Sequence, residues 1–314
     1  MQTDASRIMK RYEGNPVIDP KDYPGVFQIF NPGVAEYQGK IILLASMVYF
    51  KGGGCANGVT KVAESEDGIH FKIRDEVFID LQTRGFPYDI VSRHVIDNRV
   101  SQIGDTYYIL TPVGLHGWSG PATVLGKTKD FKTYEPMEVV AEPHSRGNSL
   151  FPEKIKGKYY RLDRPAYGAG GEIWLSSSPD LIHWGCFRPV LRPSYAYWNT
   201  SKIGPTPPIK TDQGWLEIVH GVVSPCGGTY YSIGAVMLDL EEPWKVIGKT
   251  MGYLLRPEED YETHGVVDNV VFPCGALADK KKDLLTLYYG AADTRICLAT
   301  GKLSEVIEAC MKES

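Results

Sequence analysis

Short runs of apolar and aromatic residues, each entered through a tight polar turn, recur along the whole chain. Five such runs occupy residues 38–44, 103–109, 156–161, 213–218 and 282–288, with their turns at positions 39, 104, 157, 214 and 283. Short runs rich in Ile, Leu and Tyr are typical of β-strands. A glycine beside a polar residue supplies the positive φ that a tight hairpin turn needs. The pattern therefore predicts a series of hairpins rather than helices.

A second pattern lies between these hairpins, where an Asp opens a turn and an aromatic residue follows four or five positions later. The instances are Asp67 with Phe71, Asp130 with Tyr134, Asp180 with Trp184, and Asp239 with Trp244. The repeating unit is thus two strand pairs in roughly 60 residues, which is typical of a propeller blade. We predict an all-β, five-bladed β-propeller that spans residues 1–314 as one catalytic domain. A coincidental series of hairpins in a β-sandwich is the alternative.

The two ends of the chain depart from this repeat. Residues 304–312 begin with Ser304 as an N-cap and carry apolar residues at helical spacing, which predicts a short C-terminal helix. The first residues, up to about Asp22, are expected to form an arm across the bottom or edge of the ring. No Gly/Ser linker or charge run divides the chain, so a single domain is expected.

Composition agrees with this fold and narrows the possible functions. The chain has 33 Gly, 21 Pro and 19 Tyr, which favours turns and strands, and its formal net charge of −4 gives no reason to expect nucleic-acid or membrane binding. The six cysteines show no zinc-ligand spacing, so we expect free thiols and no metal. The sequence shows neither a signal peptide nor an apolar run of membrane-spanning length, which predicts a cytoplasmic protein.

Candidate site residues follow from the propeller prediction, because binding sites in this fold gather where the innermost strands end. If the strand after each tight turn is innermost, the polar residues near its end converge on the central axis. These residues are Thr111, Arg164, His220 and Asp293. Convergent polar groups are what a carbohydrate or anion site requires.

Asp97 is the candidate general acid. It follows the apolar residues Val95 and Ile96, and burial among such neighbours raises the pKa of a carboxyl group towards the range that proton donation needs. An Asx-turn, or a structural pair between Asp97 and Arg99, is the alternative.

Four basic residues form a candidate anion site. Arg146, Arg164, Lys202 and His220 come from different blades and, in the predicted ring, face one axis. Such a cluster with few nearby carboxylates would hold an oxyanion such as phosphate through charge-assisted hydrogen bonds. Taken one at a time, each is better explained as a structural salt bridge, and only the four together favour an anion site.

Aromatic residues are further candidates, since their rings stack on the faces of sugars. Tyr167, Tyr195, Tyr197 and Trp198 belong to this group, although most of the tyrosines are expected to pack within blades. Asp293 follows two alanines that allow a ligand to approach the backbone closely, and a turn Asp is its alternative. No nucleotide-binding or protease motif is found.

Taken together, these stretches resemble glycoside hydrolase family 130, the β-mannoside phosphorylases and related β-mannosidases. The similar stretches are residues 97–99, 150–158, 164–165, 173–185, 202–209, 214–222, 234–240, 257–262, 269–275 and 288–294. They extend over nearly the whole chain, and the five-bladed propeller of that family agrees with the repeat count.

The resemblance implies an inverting phosphorolysis, in which phosphate attacks C1 of a β-mannoside and α-mannose 1-phosphate is released. Asp97 matches the family's proton donor, which acts through the 3-hydroxyl of the sugar. Arg146, Arg164, Lys202 and His220 match its phosphate-binding positions.

The resemblance also implies a mannoside-binding set, made of Asn31, Arg99, Asp163, Asp293 and Tyr231. The implied substrates are β-1,2- or β-1,4-linked manno-oligosaccharides or mannosyl-glucose. Inorganic phosphate is the co-substrate, and no other cofactor is expected. Relatives often self-associate, so a homo-oligomer is a further expectation.

Two departures from the family pattern keep other functions open. Many relatives carry an Arg where this chain has the stretch 45–49, and a Pro where it has Asn98. An inverting β-mannosidase on the same scaffold and a non-catalytic sugar-binding propeller are therefore the alternatives. The basic character of Arg164 and His220 argues against hydrolysis, because hydrolases need carboxylates to activate water.

Overall fold

The computed structural model describes residues 4–51, 55–79, 95–114, 121–165, 170–194 and 198–312, which form five antiparallel sheets. The strands are β1 (Lys10–Arg11), β2 (Val26–Tyr37), β3 (Lys40–Lys51), β4 (Cys55–Ser65), β5 (Lys72–Ile79), β6 (Arg99–Ile103), β7 (Thr106–Gly114), β8 (Pro121–Thr128), β9 (Glu135–Ala141), β10 (Ser149–Leu150), β11 (Tyr159–Asp163), β12 (Ile173–Ser178), β13 (Gly185–Leu191), β14 (Lys202–Gly204), β15 (Ile209–Lys210), β16 (Trp215–Val223), β17 (Tyr230–Leu238), β18 (Val246–Lys249), β19 (Val271–Asp279), β20 (Leu284–Ala291) and β21 (Arg295–Lys302). Two α-helices, α1 (Asp260–Thr263) and α2 (Leu303–Lys312), and short 3-10 turns at Ala5–Arg7 and Pro20–Asp22 complete the described structure.

Each sheet is one blade of the propeller. Blade 1 is β2–β5, blade 2 is β6–β9, blade 3 is β10–β13, and blade 4 is β14–β18, in which both β14 and β15 pair with β16. Blade 5 has the order β1-β21-β20-β19, so its outer strand comes from the other end of the chain. The predicted five-bladed β-propeller with a short C-terminal helix is confirmed.

The tight turns and the Asp turns both exist as the sequence indicates. Gly39, Gly104 and Gly157 have φ values of 78°, 64° and 79°, the left-handed conformation that a hairpin turn requires. In the Asp turns, one carboxylate oxygen accepts hydrogen bonds from the backbone N–H groups two and three residues later, at 2.8–3.0 Å. These aspartates fix the turn between the third and fourth strands of blades 1 to 4.

The assignment of the innermost strands was wrong. The first strand of each blade faces the axis, since β2 packs against β6 and β19, and β6 packs against β10. The strand after each tight turn is second in its blade, so Thr111 and His220 lie on second strands, with Arg164 and Asp293 just beyond them. The aromatic and apolar runs coincide with these second strands, because neighbouring blades cover both faces of a strand inside the sheet.

Apolar layers between neighbouring blades form the core. One layer joins blades 1 and 2 through Ile42, Leu44, Ile109 and Val124, with Phe131 from an Asp turn at its edge. The largest layer lies between blades 4 and 5 and also takes in α2 and the apolar residues at positions 5, 8 and 9. Strands β2 and β16 are each buried at eight consecutive positions, because neighbouring blades cover both faces of the sheet.

The N-terminal segment closes the ring instead of crossing its bottom. Lys10 pairs with Thr300 and Arg11 with Ala299, which places β1 at the outer edge of blade 5. The chain then runs antiparallel to β21, as the bridge between Ile18 and Ile296 shows. The predicted arm is therefore confirmed as an edge element.

Helix α2 begins one residue earlier than predicted, and Ser304 is not its N-cap. The side chain of Asp283 accepts hydrogen bonds from both the backbone N–H and the hydroxyl of Ser304, at 2.7 and 2.6 Å. A carboxylate from the neighbouring turn thus takes the place of a local cap. Cys186 and Cys226 are exposed free thiols, and Cys274, Cys297 and Cys310 are buried ones.

Candidate active site

A cavity of about 180 Å³ opens at the face of the ring where first strands begin and second strands end. It is lined by Phe30, Asn31, Ile96, Asp97, Arg146, Arg164, Lys202, Tyr231, Val267, Val270, Phe272 and Asp293. Seven of these belong to the predicted site. Convergent charged groups in one cavity with apolar walls are typical of a small polar ligand site.

Asp97 is held rigidly at the base of this cavity. Its backbone is left-handed, with φ of 58°, its N–H donates to Ser46 Oγ at 3.0 Å, and its carbonyl oxygen accepts from the Arg99 guanidinium. Its Oδ1 accepts from Asn31 Nδ2 at 2.8 Å, and its Oδ2 accepts from the Arg146 guanidinium at 2.6 Å. Every polar group of Asp97 therefore has a protein partner, which fixes the direction of its carboxylate.

The expected rise in the pKa of Asp97 is wrong. Burial does raise the pKa of this carboxyl, but Arg146, Arg99 and the Asn31 amide together outweigh burial and lower it below its usual value. The apolar neighbours in sequence suggested the opposite because the two guanidinium groups come from positions that sequence order does not place. With Arg146 in contact, Asp97 is ionised.

Ser46 is a supporting residue that sequence reasoning missed. Besides accepting from the backbone of Asp97, its hydroxyl donates to the carbonyl oxygen of Asn31 at 3.3 Å. It lies in the stretch 45–49, which departs from the family pattern. This departure from the family pattern was visible in the sequence, but the hydrogen bond between Ser46 and the backbone of Asp97 could not be predicted from it.

The basic cluster forms one side of the cavity. Arg164 Nε donates to the carbonyl oxygen of Arg146 at 3.3 Å, and Lys202 Nζ donates to the Tyr231 hydroxyl at 2.8 Å. Among the described residues, neither Arg164 nor Lys202 forms an ion pair, whereas Arg146 pairs with Asp97. Two buried or half-buried cations thus face the cavity without a protein anion.

Burial and the excess of positive charge lower the pKa values of Lys202 and Arg164. Burial, followed by repulsion from Arg164 and Arg146, lowers the pKa of Lys202 to about 8. Burial and the neighbouring guanidinium groups also lower the pKa of Arg164. A dianion in the cavity would relieve both effects, because it adds negative charge where the protein supplies too little.

His220 lies behind this cluster and does not line the cavity. It is fully buried, its ring centroid is 4.5 Å from that of Phe272, and its Nε2 lies 3.1 Å from the Arg164 guanidinium. Burial and the adjacent cations hold its pKa well below the usual value, so the ring is neutral and Nε2 accepts from Arg164. A side chain at Gly204 would collide with both His220 and Arg164, so glycine is needed there.

Asp293 faces Asp97 across the cavity. It follows β20, has φ of 47°, and its carboxyl pKa is raised to about 6 by burial and by the negative charge of Asp97. Asn31 lies between the two carboxylates and bonds Asp97, while its own amide oxygen is buried without a partner in the described structure. This arrangement leaves acceptor groups available for the hydroxyl groups of a sugar.

Two predicted substrate-binding residues lie away from the cavity. Arg99 is buried, donates to the Asp97 carbonyl, and stacks 5.5 Å from the Phe272 ring centroid. Asp163 is buried inside blade 3, where it accepts hydrogen bonds from Arg161, Asn148 and Ser176. Both are better described as supports of the fold around the site.

The remaining candidates do not reach the cavity either. Thr111 Oγ1 donates to Asn98 Oδ1 at 2.7 Å within blade 2. The Trp198 ring packs against Gly221 and Gly234 of blade 4. Tyr167, Tyr195 and Tyr197 lie outside the described residues.

Comparison with known proteins decides the family. A family model described as beta-1,4-mannooligosaccharide phosphorylase matches residues 2–312. The chain belongs to glycoside hydrolase family 130. A family-130 relative from Ruminococcus albus, a beta-1,4-mannooligosaccharide phosphorylase, is 36% identical over 97% of this chain and 91% of its own length.

Two further relatives extend this comparison. The beta-1,2-mannobiose phosphorylase from Listeria innocua is 32% identical over 95% of this chain and 97% of its own length. Its structure with beta-1,2-mannobiose has a TM-score of 0.86 and covers 97% of this chain and 99% of that one, at 31% identity. A 4-O-beta-D-mannosyl-D-glucose phosphorylase from Bacteroides fragilis is 28% identical over 97% of this chain and 81% of its own length.

The described ranges contain no group of three or more His, Cys, Asp or Glu side chains placed to hold a metal ion. Within the same ranges, no helix is long and apolar enough to span a membrane.

Proposed function

We propose that the protein catalyses the phosphorolysis of β-mannosides and releases α-mannose 1-phosphate. The observation that carries this proposal is the pair of cations, Arg164 and Lys202, that face the cavity of Asp97 without an ion-pair partner in the described structure. Family membership and the names of the relatives support the same reaction. A hydrolase would instead need a carboxylate placed to activate water on that side.

The proposed reaction assigns one role to each side of the cavity. A phosphate oxygen, held by Arg146, Arg164 and Lys202, attacks C1 of the mannosyl residue as the bond from C1 to the leaving oxygen breaks. The leaving oxygen gains a proton that comes ultimately from Asp97, by way of the 3-hydroxyl in the relay that the family resemblance implies. Attack from the face opposite the leaving group inverts the configuration, so a β-mannoside gives the α-phosphate.

Sugar binding is proposed for Asn31, Asp293 and Tyr231, which line the cavity with unused acceptor or donor capacity. His220 supports the phosphate site indirectly, by accepting a hydrogen bond from Arg164. The relatives act on β-1,2-linked, β-1,4-linked and mannosyl-glucose substrates by name, so a short β-linked mannoside is the proposed substrate class. A cytoplasmic location, a homo-oligomer and a single domain stay predictions.

Incubation with β-1,2-mannobiose, β-1,4-mannobiose and mannosyl-glucose, each with and without phosphate, tests the proposal. We expect mannose 1-phosphate from at least one disaccharide, and only when phosphate is present. Free mannose formed equally without phosphate would identify a hydrolase. Binding of a disaccharide with no turnover under either condition would identify a sugar-binding propeller.

A further inference from the structure

The ion pair between Arg146 and Asp97 conflicts with the role of each residue in phosphorolysis. Asp97 has to carry a proton in order to donate one, and the Arg146 contact at 2.6 Å stabilises its ionised form. Arg146 in turn has to bind phosphate, but its guanidinium is engaged with Asp97. While they are paired with each other, neither Asp97 nor Arg146 is in the state that phosphorolysis requires.

Only one member of this pair is free to leave it. The side chain of Asp97 is 2% exposed and its backbone is fixed by Ser46 and Arg99, whereas the Arg146 side chain keeps 41% exposure at the cavity. The carboxylate of Asp97 is also held by Asn31. Among the described residues, Asp97 is the only side chain to which Arg146 is hydrogen-bonded.

The guanidinium of Arg146 can reach a second position in the same cavity, beside Arg164 and Lys202. Arg146 precedes β10, next to Gly147 with φ of 72°, and its carbonyl oxygen accepts from Arg164. Its backbone is therefore tied to the phosphate side of the cavity. A rotation of its side chain exchanges the carboxylate for an anion beside Arg164 and Lys202 without a change in the fold.

We propose that Arg146 exchanges partners when the anion binds, so that entry of phosphate breaks the Arg146–Asp97 ion pair and Asp97 takes up one proton from solvent. This inference rests on the proposed phosphate site. The charges balance, because Arg146 keeps its positive charge and now faces the dianion, while the carboxylate becomes a neutral carboxyl. Without phosphate, Asp97 stays ionised, which disfavours hydrolysis of the mannoside by water.

The other charged groups around Asp97 favour the same direction of change. Asp293 and the incoming dianion both oppose ionisation of Asp97, and burial does so as well. Arg99 is the remaining cation in contact, through the backbone carbonyl, and it does not move in the exchange. Arg164 and Lys202 lie on the anion's side, where the dianion offsets their positive charge, and Tyr231 beside them is neutral.

Isothermal titration calorimetry with sulfate tests the exchange. Sulfate remains a dianion in mildly acidic solution, so any proton uptake belongs to the protein. Titration at about pH 5.5 in two buffers of different ionisation enthalpy gives the number of protons bound with each anion, since Lys202 and Arg164 are already protonated at that pH. We expect uptake that approaches about one proton per sulfate as the pH is lowered.

Matched variants assign the proton. In Asp97→Asn most of the uptake should be lost while sulfate still binds. In Asp293→Asn, which removes the other cavity carboxyl that titrates near this pH, the uptake should persist. Equal uptake in Asp97→Asn and the unchanged protein would place the proton on Asp293 or His220 and overturn the exchange. Sulfate binding with no uptake in the unchanged protein would overturn it as well, whereas failure of both sulfate and phosphate to bind would instead refute the proposed phosphate site.

Discussion

At the scale of single residues, the side chains around the cavity fall into two sets, one facing the ligand space and one holding the first set in place. Asp97, Arg164 and Lys202 face the cavity, and Ser46 and Arg99 fix the backbone of Asp97 from behind. Sequence patterns identified the first set well, because charged residues at strand ends are conspicuous. In the second set, Arg99 was predicted in another role, as a mannoside-binding residue, and Ser46 was missed because it lies 51 positions from Asp97 in the sequence.

Substitution of the proposed proton donor is the most direct test at this scale. Asp97→Asn keeps the hydrogen bonds with Asn31 and Ser46 available but removes the transferable proton, so kcat should fall by about 10²–10⁴-fold. Far-UV circular dichroism and the melting temperature should stay close to those of the unchanged protein.

Asp163→Asn is the matched control for this substitution. Asp163 is equally buried and hydrogen-bonded, but it lies inside blade 3 and faces Arg161. Its replacement should lower the melting temperature while the folded protein keeps its kcat. An active Asp97→Asn enzyme would reject the assignment of Asp97 as the acid.

The lowered pKa of Lys202 predicts a pH dependence of phosphate affinity. A lysine whose pKa is about 8 loses its charge as the pH rises through that value. Phosphate affinity should therefore weaken above about pH 8, by up to about tenfold per pH unit. Titration calorimetry between neutral and alkaline pH would measure this change.

Two variants at Lys202 separate its titration from other effects. In Lys202→Met the affinity should be lower throughout and nearly independent of pH in this range. In Lys202→Arg the decline should move to higher pH, because a guanidinium keeps its charge. An unchanged pH profile in Lys202→Met would show that another group titrates.

At the scale of elements, the Asp turns connect the third and fourth strands of four blades. Their carboxylates accept from two successive backbone N–H groups, and these bonds lower the pKa values of Asp130 and Asp239. A lowered carboxyl pKa stabilises the folded state above the pKa of the unfolded chain, and this contribution is lost as the pH falls towards the folded value. The turns are therefore expected to weaken in acid.

Asp130 offers a test of this element. Asp130→Ala removes the acceptor for the N–H groups of Lys132 and Thr133, and should lower the free energy of unfolding by about 1 kcal/mol. Asp130→Asn keeps an acceptor oxygen and should recover most of that loss. Urea denaturation monitored by fluorescence measures both, and KM for the mannoside should be unaffected. Equal stability of the Ala and Asn variants would contradict the capping role.

The blade repeat could be predicted because long strands carry their periodicity in the sequence. The innermost strands of blades 3 and 4 could not, since β10 has two residues and β14 has three, too few for any pattern. Strands β2 and β19 are longer, but nothing in their own sequences shows which strand of a blade lies next to the axis. The direction of the pKa shift of Asp97 could not be predicted from the sequence either. Val95 and Ile96 are visible beside it in the sequence, but Arg146 reaches it only through the packing of neighbouring blades. The neighbouring residues in the sequence predicted the burial of Asp97, and its tertiary contacts determine its charge.

At the scale of the whole molecule, the ring is closed by the pairing of β1 with β21. A buried ion pair strengthens this closure. Glu262 has no exposed side-chain surface and accepts from Arg11 at both carboxylate oxygens, at 2.8 and 2.9 Å, and from the Tyr289 hydroxyl at 2.7 Å. The pair links β1 to α1 and β20. The closure of the propeller where β1 pairs with β21, here called the seam, is therefore fixed by charge as well as by strand pairing.

Removal of Arg11 should weaken the seam. Arg11→Met leaves the carboxylate of Glu262 buried without its cation, which should cost about 3 kcal/mol of unfolding free energy. Arg7→Met is a suitable control, because Arg7 is 86% exposed and pairs only with nearby Asp4. Thermal denaturation should show a large decrease for the first variant and almost none for the second. Equal melting temperatures would show that strand pairing alone holds the seam.

The seam also sets the order of events when the protein is made. Residues 10 and 11 leave the ribosome long before residues 299 and 300, with which they pair. Until then, the outer edge of the last blade does not exist, and β1 has no partner. The groups contributed by blades 1 to 4 are synthesised before the contact that closes the ring around them. Catalytic competence is therefore acquired only after β21 has been synthesised, and chains that stop before β21 should lack it.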